Sequence, residues 1–414
     1  MSTTIETPAP WLAAEGLEIA EQGLYHLPRD HAWHSGPTYH TNDFFEWHYF
    51  TFIGKDKTTG HDISFFWCAM SQGWSKELGR PVMPLFVAWH DKVTGDFINT
   101  TVVPNSKFVS SGSPAPNFGF KYDVYDPDGK GFGIGYQHAG EQWSFKSSAP
   151  AGAKIVGHPH EVDVTATVKA PGYIPSAYWG LESIGFQKLF NQNPETMYGL
   201  TYYYTAPEME MKGTVTLADG VHEIEGTAWF EHQWGNFRNT EQCRYFWGYA
   251  RFENGDCITW RQYYGNPVGK LNVEVPFDTV AARKGWDEPH PEVSRFAFIP
   301  KGKAPQYSFG PTFLFTPIKW WTSPESGVEY PWWGEMKTPK GTFYLSPTFP
   351  KQETVGLAGS FIEGALHLRK DSIDGPIVAD GFCEMVQMPA LGAPMSRELP
   401  ERTDQQFDGG LNRK

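Results

Sequence analysis

The ten residues Ala228–Phe237, AWFEHQWGNF, decide how the chain is read. Two tryptophans and two phenylalanines suit a buried β-strand, yet Glu231, His232 and Gln233 sit in the middle, where burial of polar groups is costly. Strand side chains alternate between faces, so Ala228, Phe230, His232 and Trp234 share one side and Trp229, Glu231 and Gln233 the other. His232 is thereby presented between two aromatics on a mostly apolar surface, which in a barrel lines the interior. A histidine there can exchange a proton beside a bound apolar molecule. It can equally be a core histidine hydrogen-bonded to a backbone carbonyl.

The device occurs twice. In DFFEWHYFTFI (Asp43–Ile53), Phe44, Glu46, His48, Phe50 and Phe52 fall on one face and Phe45, Trp47, Tyr49 and Thr51 on the other. Here too an acid and a histidine lie two residues apart on an aromatic face. A strand edge with Glu46 and His48 in solvent, or in a salt bridge, is the alternative.

Working outward, short alternating segments dominate: DISFFWCAM, MPLFVAWHD, GTVTLADG, HEIEGTAWFEHQW, CRYFWGYARFENGDCITWRQYY and GTFYLSPTF all read as strands. ARFENGDCI predicts a hairpin, with Asn-Gly in a type I′ turn. GKGFGIGYQHAG reads as a glycine-rich hairpin rather than a phosphate loop. IKWWTSPESGVEYPWWGEM has strand-like ends around a turn and suits a pocket lid, a rim or a packed hairpin. Only SAYWGLESIGFQKLFNQ has helical character, weakened by its two glycines. Aromatics make up 16% of the 414 residues, with 43 Gly and only 20% charged residues, which favours β-structure over helical bundles. The length exceeds what one core usually holds, so two domains are expected.

The net charge of −13, with no basic patch among the aromatics, argues against nucleic acid as a partner. No stretch is apolar enough to predict an integral membrane segment, and the N-terminal residues do not read as a signal peptide. Cys68, Cys243, Cys257 and Cys383 form no C-x-x-C pair and read as reduced thiols in a cytoplasmic protein. The early histidines His26, His31, His34, His40 and His48, with His158 and His160, match no compact zinc spacing, so no metal site is expected. Oligomeric state is not legible.

Taken in series, several stretches resemble one family. GTAWFEHQWGNF is similar to the G-x-x-W-x-D-H-x-W-G signature of the carotenoid 1,2-hydratase (hydroxyneurosporene synthase) family, with Glu231 where that family has aspartate. FFEWHYFTFIG resembles its early W-W-Y-F motif. YYYTAPEMEMKGTVTLADGVHEIEG, which holds Tyr203, resembles its Y-Y-S-x-P segment and hairpin. FIEGALHLRKDSIDGPIVADGFCEM resembles its closing strand pair. The resemblance implies an all-β chain of two lipocalin-like antiparallel β-barrel domains packed together. The expected boundaries are an arm over residues 1–42, domains over 43–238 and 239–390, and a tail over 391–414. It also implies no organic cofactor and an apolar unsaturated substrate, as for relatives that include kievitone hydratase and fungal Diels–Alderase-type cyclases.

The family's His-x-Trp pair carries over to His232 and Trp234. Its Tyr-x-Asp pair does not: the corresponding strand, CITWRQYY, has Trp260, Arg261 and Gln262. Adding water to an alkene needs a proton delivered to carbon and capture of a carbocation. A carboxylic acid or imidazolium in an apolar site supplies the proton, and aromatic faces stabilise the cation. The expected acid–base groups are His232, Glu46, His48 and Glu231. The expected walls are Trp234, Phe230, Trp47, Trp260 and Tyr203, with Arg261 and Gln262 suited to polarising a carbonyl. A hydratase of the lyase class, an isomerase or cyclase acting on a terpenoid or polyketide-like molecule, and a carrier of an apolar ligand all remain open.

Overall fold

The structure is a computed structural model. It describes most of residues 44–386; the larger stretches outside the description are 1–43, 170–199, 237–243, 265–294 and 387–414. The expected arm, tail and helical segment Ser176–Gln192 therefore lie outside the described residues.

The described residues form strands and no helix. In chain order the strands are β1 (Phe44–Asp56), β2 (Asp62–Gln72), the short pair β3 (Trp74–Ser75) and β4 (Arg80–Pro81), β5 (Leu85–Asp91), β6 (Phe97–Val102), β7 (Phe108–Gly112) and β8 (Asn117–Tyr125). Next come β9 (Gly131–Ala139), β10 (Gln142–Ala149), β11 (Val156–Gly157), β12 (His160–Val168), β13 (Leu200–Leu217) and β14 (Gly220–Asn236). The remainder are β15 (Arg244–Phe252), β16 (Cys257–Tyr264), β17 (Arg295–Ile299), β18 (Gln306–Phe309), β19 (Leu314–Thr322), β20 (Glu329–Thr338), β21 (Gly341–Pro347), β22 (Glu353–Gly356), β23 (Gly359–Arg369) and β24 (Ile377–Val386).

These make a 12-stranded sheet, ordered β11-β6-β5-β2-β1-β14-β13-β12-β10-β9-β8-β7, and a 10-stranded sheet, ordered β18-β17-β16-β15-β24-β23-β21-β20-β19 with β22 beside β23. Both curl. In the first sheet, Trp67 of β2 lies 5.6 Å from Phe145 of β10, although four strands separate them along the ladder. In the second, Phe246 of β15 meets Phe315 of β19 at 4.6 Å, and Gln262 of β16 accepts a hydrogen bond from the Phe315 backbone N–H at 2.9 Å. Such contacts require each sheet to wrap around its own interior. The fold is two packed lipocalin-like half-barrels. The first sheet ends in sequence with β14 and the second begins with β15.

Alternation then produces three apolar layers. Even positions of β1 and β14, including Phe50, Phe52, Ala228 and Phe230, face the interior of the first sheet with Trp67, Trp143 and Phe145. Odd positions, including Tyr49 and Trp229, face the second sheet and pack with Trp247, Tyr249 and Phe382. The second interior holds Phe246, Trp260, Tyr330 and Trp332. Trp229 stacks on Tyr249 at 4.6 Å, and three polar links cross the same layer. These are Thr51 Oγ1 with Tyr249 Oη at 2.8 Å, Tyr49 Oη–H to Glu363 Oε2 at 2.9 Å, and His90 Nε2 with the Glu363 carbonyl at 2.7 Å.

Local chemistry explains the irregularities. Gly54 and Gly226 face each other across β1 and β14, and a Cβ on either would lie 2.5–2.8 Å from the ring of Phe52, which covers both. The β13–β14 register shifts between Ala206 and Met209, around Pro207, whose missing N–H cannot serve a ladder. The Asn254-Gly255 hairpin forms between β15 and β16, but its turn differs from the expected type I′. Only Gly255 has positive φ, 87°, and the Gly255 N–H bonds the Phe252 carbonyl at 2.9 Å. This is a three-residue loop with a type I turn and glycine in the left-handed position, an alternative that also follows strand twist. The glycine-rich segment, expected as a hairpin, is instead the single strand β9, paired with β8 and β10, and IKWWTSPESGVEYPWWGEM is the packed hairpin β19–β20, with Tyr330 and Trp332 buried. Cys68, Cys257 and Cys383 are buried free thiols; Cys243 lies outside the described residues. Among the described residues no helix is long and apolar enough to cross a membrane.

Candidate active site

β1 is paired on both sides, to β2 and β14, and its register sets His48 directly opposite His232 and Phe50 opposite Phe230. Glu46 lies two residues earlier on the same face. All three polar side chains are fully buried, at 0% exposure. His232 Nε2 lies 2.8 Å from Glu46 Oε1, and the two imidazoles stack with centroids 3.8 Å apart and planes at 23°. The aromatic side begins at once: His48 is 6.3 Å from Phe230, whose ring meets Trp143 edge-on at 4.3 Å. The arrangement is an imidazole–carboxylate pair with a second imidazole beside it, set into a dry aromatic face. A carboxylate on one ring nitrogen orients the imidazole and can exchange a proton with it, which suits proton transfer. One ligand atom from each of Glu46, His48 and His232 lies within 4.8 Å of the others, so the same groups could hold a metal ion.

Behind this pair, across the backbone of β14, lies a different polar cluster. Glu231 accepts hydrogen bonds from Tyr203 Oη and, at 2.9 Å, from Trp229 Nε1. The Arg261 guanidinium sits 5.1 Å from the centre of the Tyr203 ring. Burial pushes the Glu231 carboxyl up to about 8, against the Arg261 charge and its two hydrogen bonds. Glu363 of β23 is pushed well above the carboxylate range by burial and by neighbouring Glu384. Three acids and one arginine thus meet between the sheets, and burial favours the neutral forms of Glu231 and Glu363.

The structure brings His232, Glu46 and His48 together with Phe230. It places Glu231, Tyr203, Arg261 and partly buried Trp47 in the layer between the sheets. Trp260 and Gln262 belong to the second interior, where Trp260 packs on Phe246 at 5.5 Å and Gln262 holds β19. Trp234 is paired in register with Glu46 through the backbone. The expected residues therefore occupy three compartments rather than one. Trp143, Tyr49, Glu363 and Glu384 were not singled out. The signal for the two acids was present, because each is a carboxyl flanked by apolar residues within a strand.

No protein-family model matches the sequence, and no curated protein is significantly similar to it. Solved structures do match. A Nitrosomonas europaea protein provisionally named AttH aligns with a TM-score of 0.59 at 16% identity, over 86% of this chain and 98% of that one. Kievitone hydratase from Nectria haematococca aligns with a TM-score of 0.52 at 15% identity, over 88% of this chain and 92% of that one. This chain has their fold. CghA, solved with Sch210972, aligns more loosely, with a TM-score of 0.49 at 10% identity, over 84% of this chain and 89% of that one. The two better alignments span nearly all of both partners, so the shared fold includes both half-barrels and not one alone.

Proposed function

We propose that the chain is a hydro-lyase that adds water to a C=C bond of an apolar, unsaturated small molecule, with His232, Glu46 and His48 as its acid–base groups. The observation that carries this reading is the His232–Glu46 contact of 2.8 Å, with both groups fully buried against an aromatic face. Burying an ion pair or its neutral equivalent is costly, and a merely structural role is met more cheaply by apolar side chains. In the reaction, imidazolium His232 gives its proton to one alkene carbon and the π electrons form that C–H bond. The other carbon becomes cationic beside Phe230 and Trp143, whose faces stabilise it. Water attacks the cation, and its extra proton passes to Glu46 or His48 and returns to His232. No external oxidant or reductant is needed. A shared fold with kievitone hydratase makes kievitone a sensible first substrate to assay, within a panel of apolar alkenes.

A second reading places an isomerase or cyclase in the layer between the sheets. There Glu231, Tyr203 and Arg261 form a donor set suited to polarising a carbonyl. The buried ionisable groups in both compartments disfavour a simple carrier. Turnover in heavy-oxygen water separates the readings. Label in a product heavier by one water supports hydration, whereas an unlabelled product of unchanged mass supports isomerisation or cyclisation. His232→Ala should lower the hydration rate by about 10²–10⁴ while the protein stays folded. Full activity of that variant, on a substrate the wild type turns over, removes His232 from the mechanism.

A further inference from the structure

We propose that Glu46, His48 and His232 also form a binding site for a first-row divalent cation of the zinc type, which takes the place of the hydrogen between His232 and Glu46. Two imidazoles and one carboxylate are a donor set for zinc, cobalt or iron(II), and not for calcium or magnesium, which prefer all-oxygen shells. The three ligand atoms lie within 4.8 Å of one another. The 2.8 Å between His232 Nε2 and Glu46 Oε1 must widen by only about 0.5–0.8 Å to reach the roughly 3.3–3.6 Å that separates two donors of a tetrahedral cation bound at about 2.0–2.2 Å each. The third donor needs a modest movement: the imidazoles, stacked at 3.8 Å, must fan apart so that His48 turns a ring nitrogen toward the ion.

The scaffold suits the site. The two histidines face each other on neighbouring strands, each paired on both sides, so their backbones are fixed while the rings retain torsional freedom. Full burial strips water from the site, and a dication compensates the carboxylate there. Three protein ligands leave one position open, as in metal sites accessible to small molecules. The motif escapes any search for ligand spacing along the chain, because its members are 2 and 184 residues apart and only the β1–β14 pairing joins them.

This inference rests in one respect on the proposed hydration: the cation would occupy the nitrogen that delivers the proton, so the loaded protein would not turn over. The binding itself does not depend on that reading. The test uses the full chain, stripped with chelator, in two titrations without substrate. One is Zn²⁺ in competition with a chromogenic chelator, and the other is Co²⁺ followed by its visible absorption. One equivalent per chain is expected, with Co²⁺ bands of a low-coordinate site. His232→Ala and Glu46→Gln should each weaken binding by about 100-fold or more, and His48→Asn serves if either fails to fold by circular dichroism. His61→Ala and His367→Ala remove partly exposed histidines paired with Asp91 and Asp380 and should change nothing. No stoichiometric binding, or binding that survives the first substitutions and falls with the second, overturns the site. Turnover is then read separately. Inhibition by one equivalent of Zn²⁺ supports both ideas, and undiminished turnover of loaded protein keeps the site but removes His232 as proton donor.

Discussion

Residue 231 and residue 232 are neighbours in the chain and strangers in space. Glu231 lies between the sheets and His232 inside the first half-barrel, because consecutive strand residues point to opposite faces. That separation was legible from alternation alone, as was the grouping of Glu46 with His48. The grouping of both with His232 was not, since it depends on which strand pairs with β1. Raising a carboxyl to about 8 also leaves a mark on stability. The folded state holds a proton on Glu231 that the unfolded chain releases near 4.5, so this group's contribution is fully present below about 4.5 and is lost as pH rises through about 8. The slope is at most about 1.4 kcal/mol per pH unit for one group. Urea unfolding of Glu231→Gln between pH 5 and 8 should therefore show a flatter pH dependence than wild type; parallel curves would place the proton elsewhere. Tyr49→Phe removes the hydroxyl that serves Glu363 and should cost about 1–3 kcal/mol in the same measurement.

Elements carry their own constraints. The near end of the β1–β14 pair is clamped by His222, whose Nδ1 lies 2.9 Å from Asp56 Oδ2 and whose Nε2 lies 3.0 Å from Asp219 Oδ1. Burial disfavours charge on this imidazole, but the two carboxylates outweigh it and raise its pKa above the usual value. Both ring nitrogens then donate. The contribution is fully present below about 6.5 and fades as pH climbs through the raised pKa. His222→Gln should accordingly lower Tm more at pH 6 than at pH 9; an equal loss at both would show that only packing was removed. At Gly226 the constraint is steric. Gly226→Val would drive a side chain into Phe52 and the backbone of Gly54, an overpacking cost of about 1–3 kcal/mol by denaturant unfolding. Strand positions were readable from alternation, but the loop at Asn254-Gly255 was not, because Asn-Gly fits both turn types and only the ladder register chooses.

For the whole molecule, the two half-barrels share an apolar layer that includes Tyr49, Trp229, Trp247, Tyr249 and Phe382, all buried. Neither sheet can expose that face cheaply. Division into domains at residues 43–238 and 239–390 is thus proposed as a division of topology rather than of stability. Far-ultraviolet dichroism and tryptophan fluorescence should report one coincident urea transition. Two separated transitions would show that the halves fold alone. All-β character and a pair of curled sheets followed from composition, alternation and the family resemblance. That Glu363 and Glu384 meet Glu231 between the sheets needed the three-dimensional packing to become visible. One feature of the assembly, the doubly paired strand β14, works as a partition with a different chemistry on each side. Shifting its pairing by a single position would exchange the contents of the two chambers, delivering the carboxyl inward and the imidazole outward. Descent of this architecture can therefore change one chamber by substitution at alternate positions without disturbing the other, while insertions and deletions within the partition are barred.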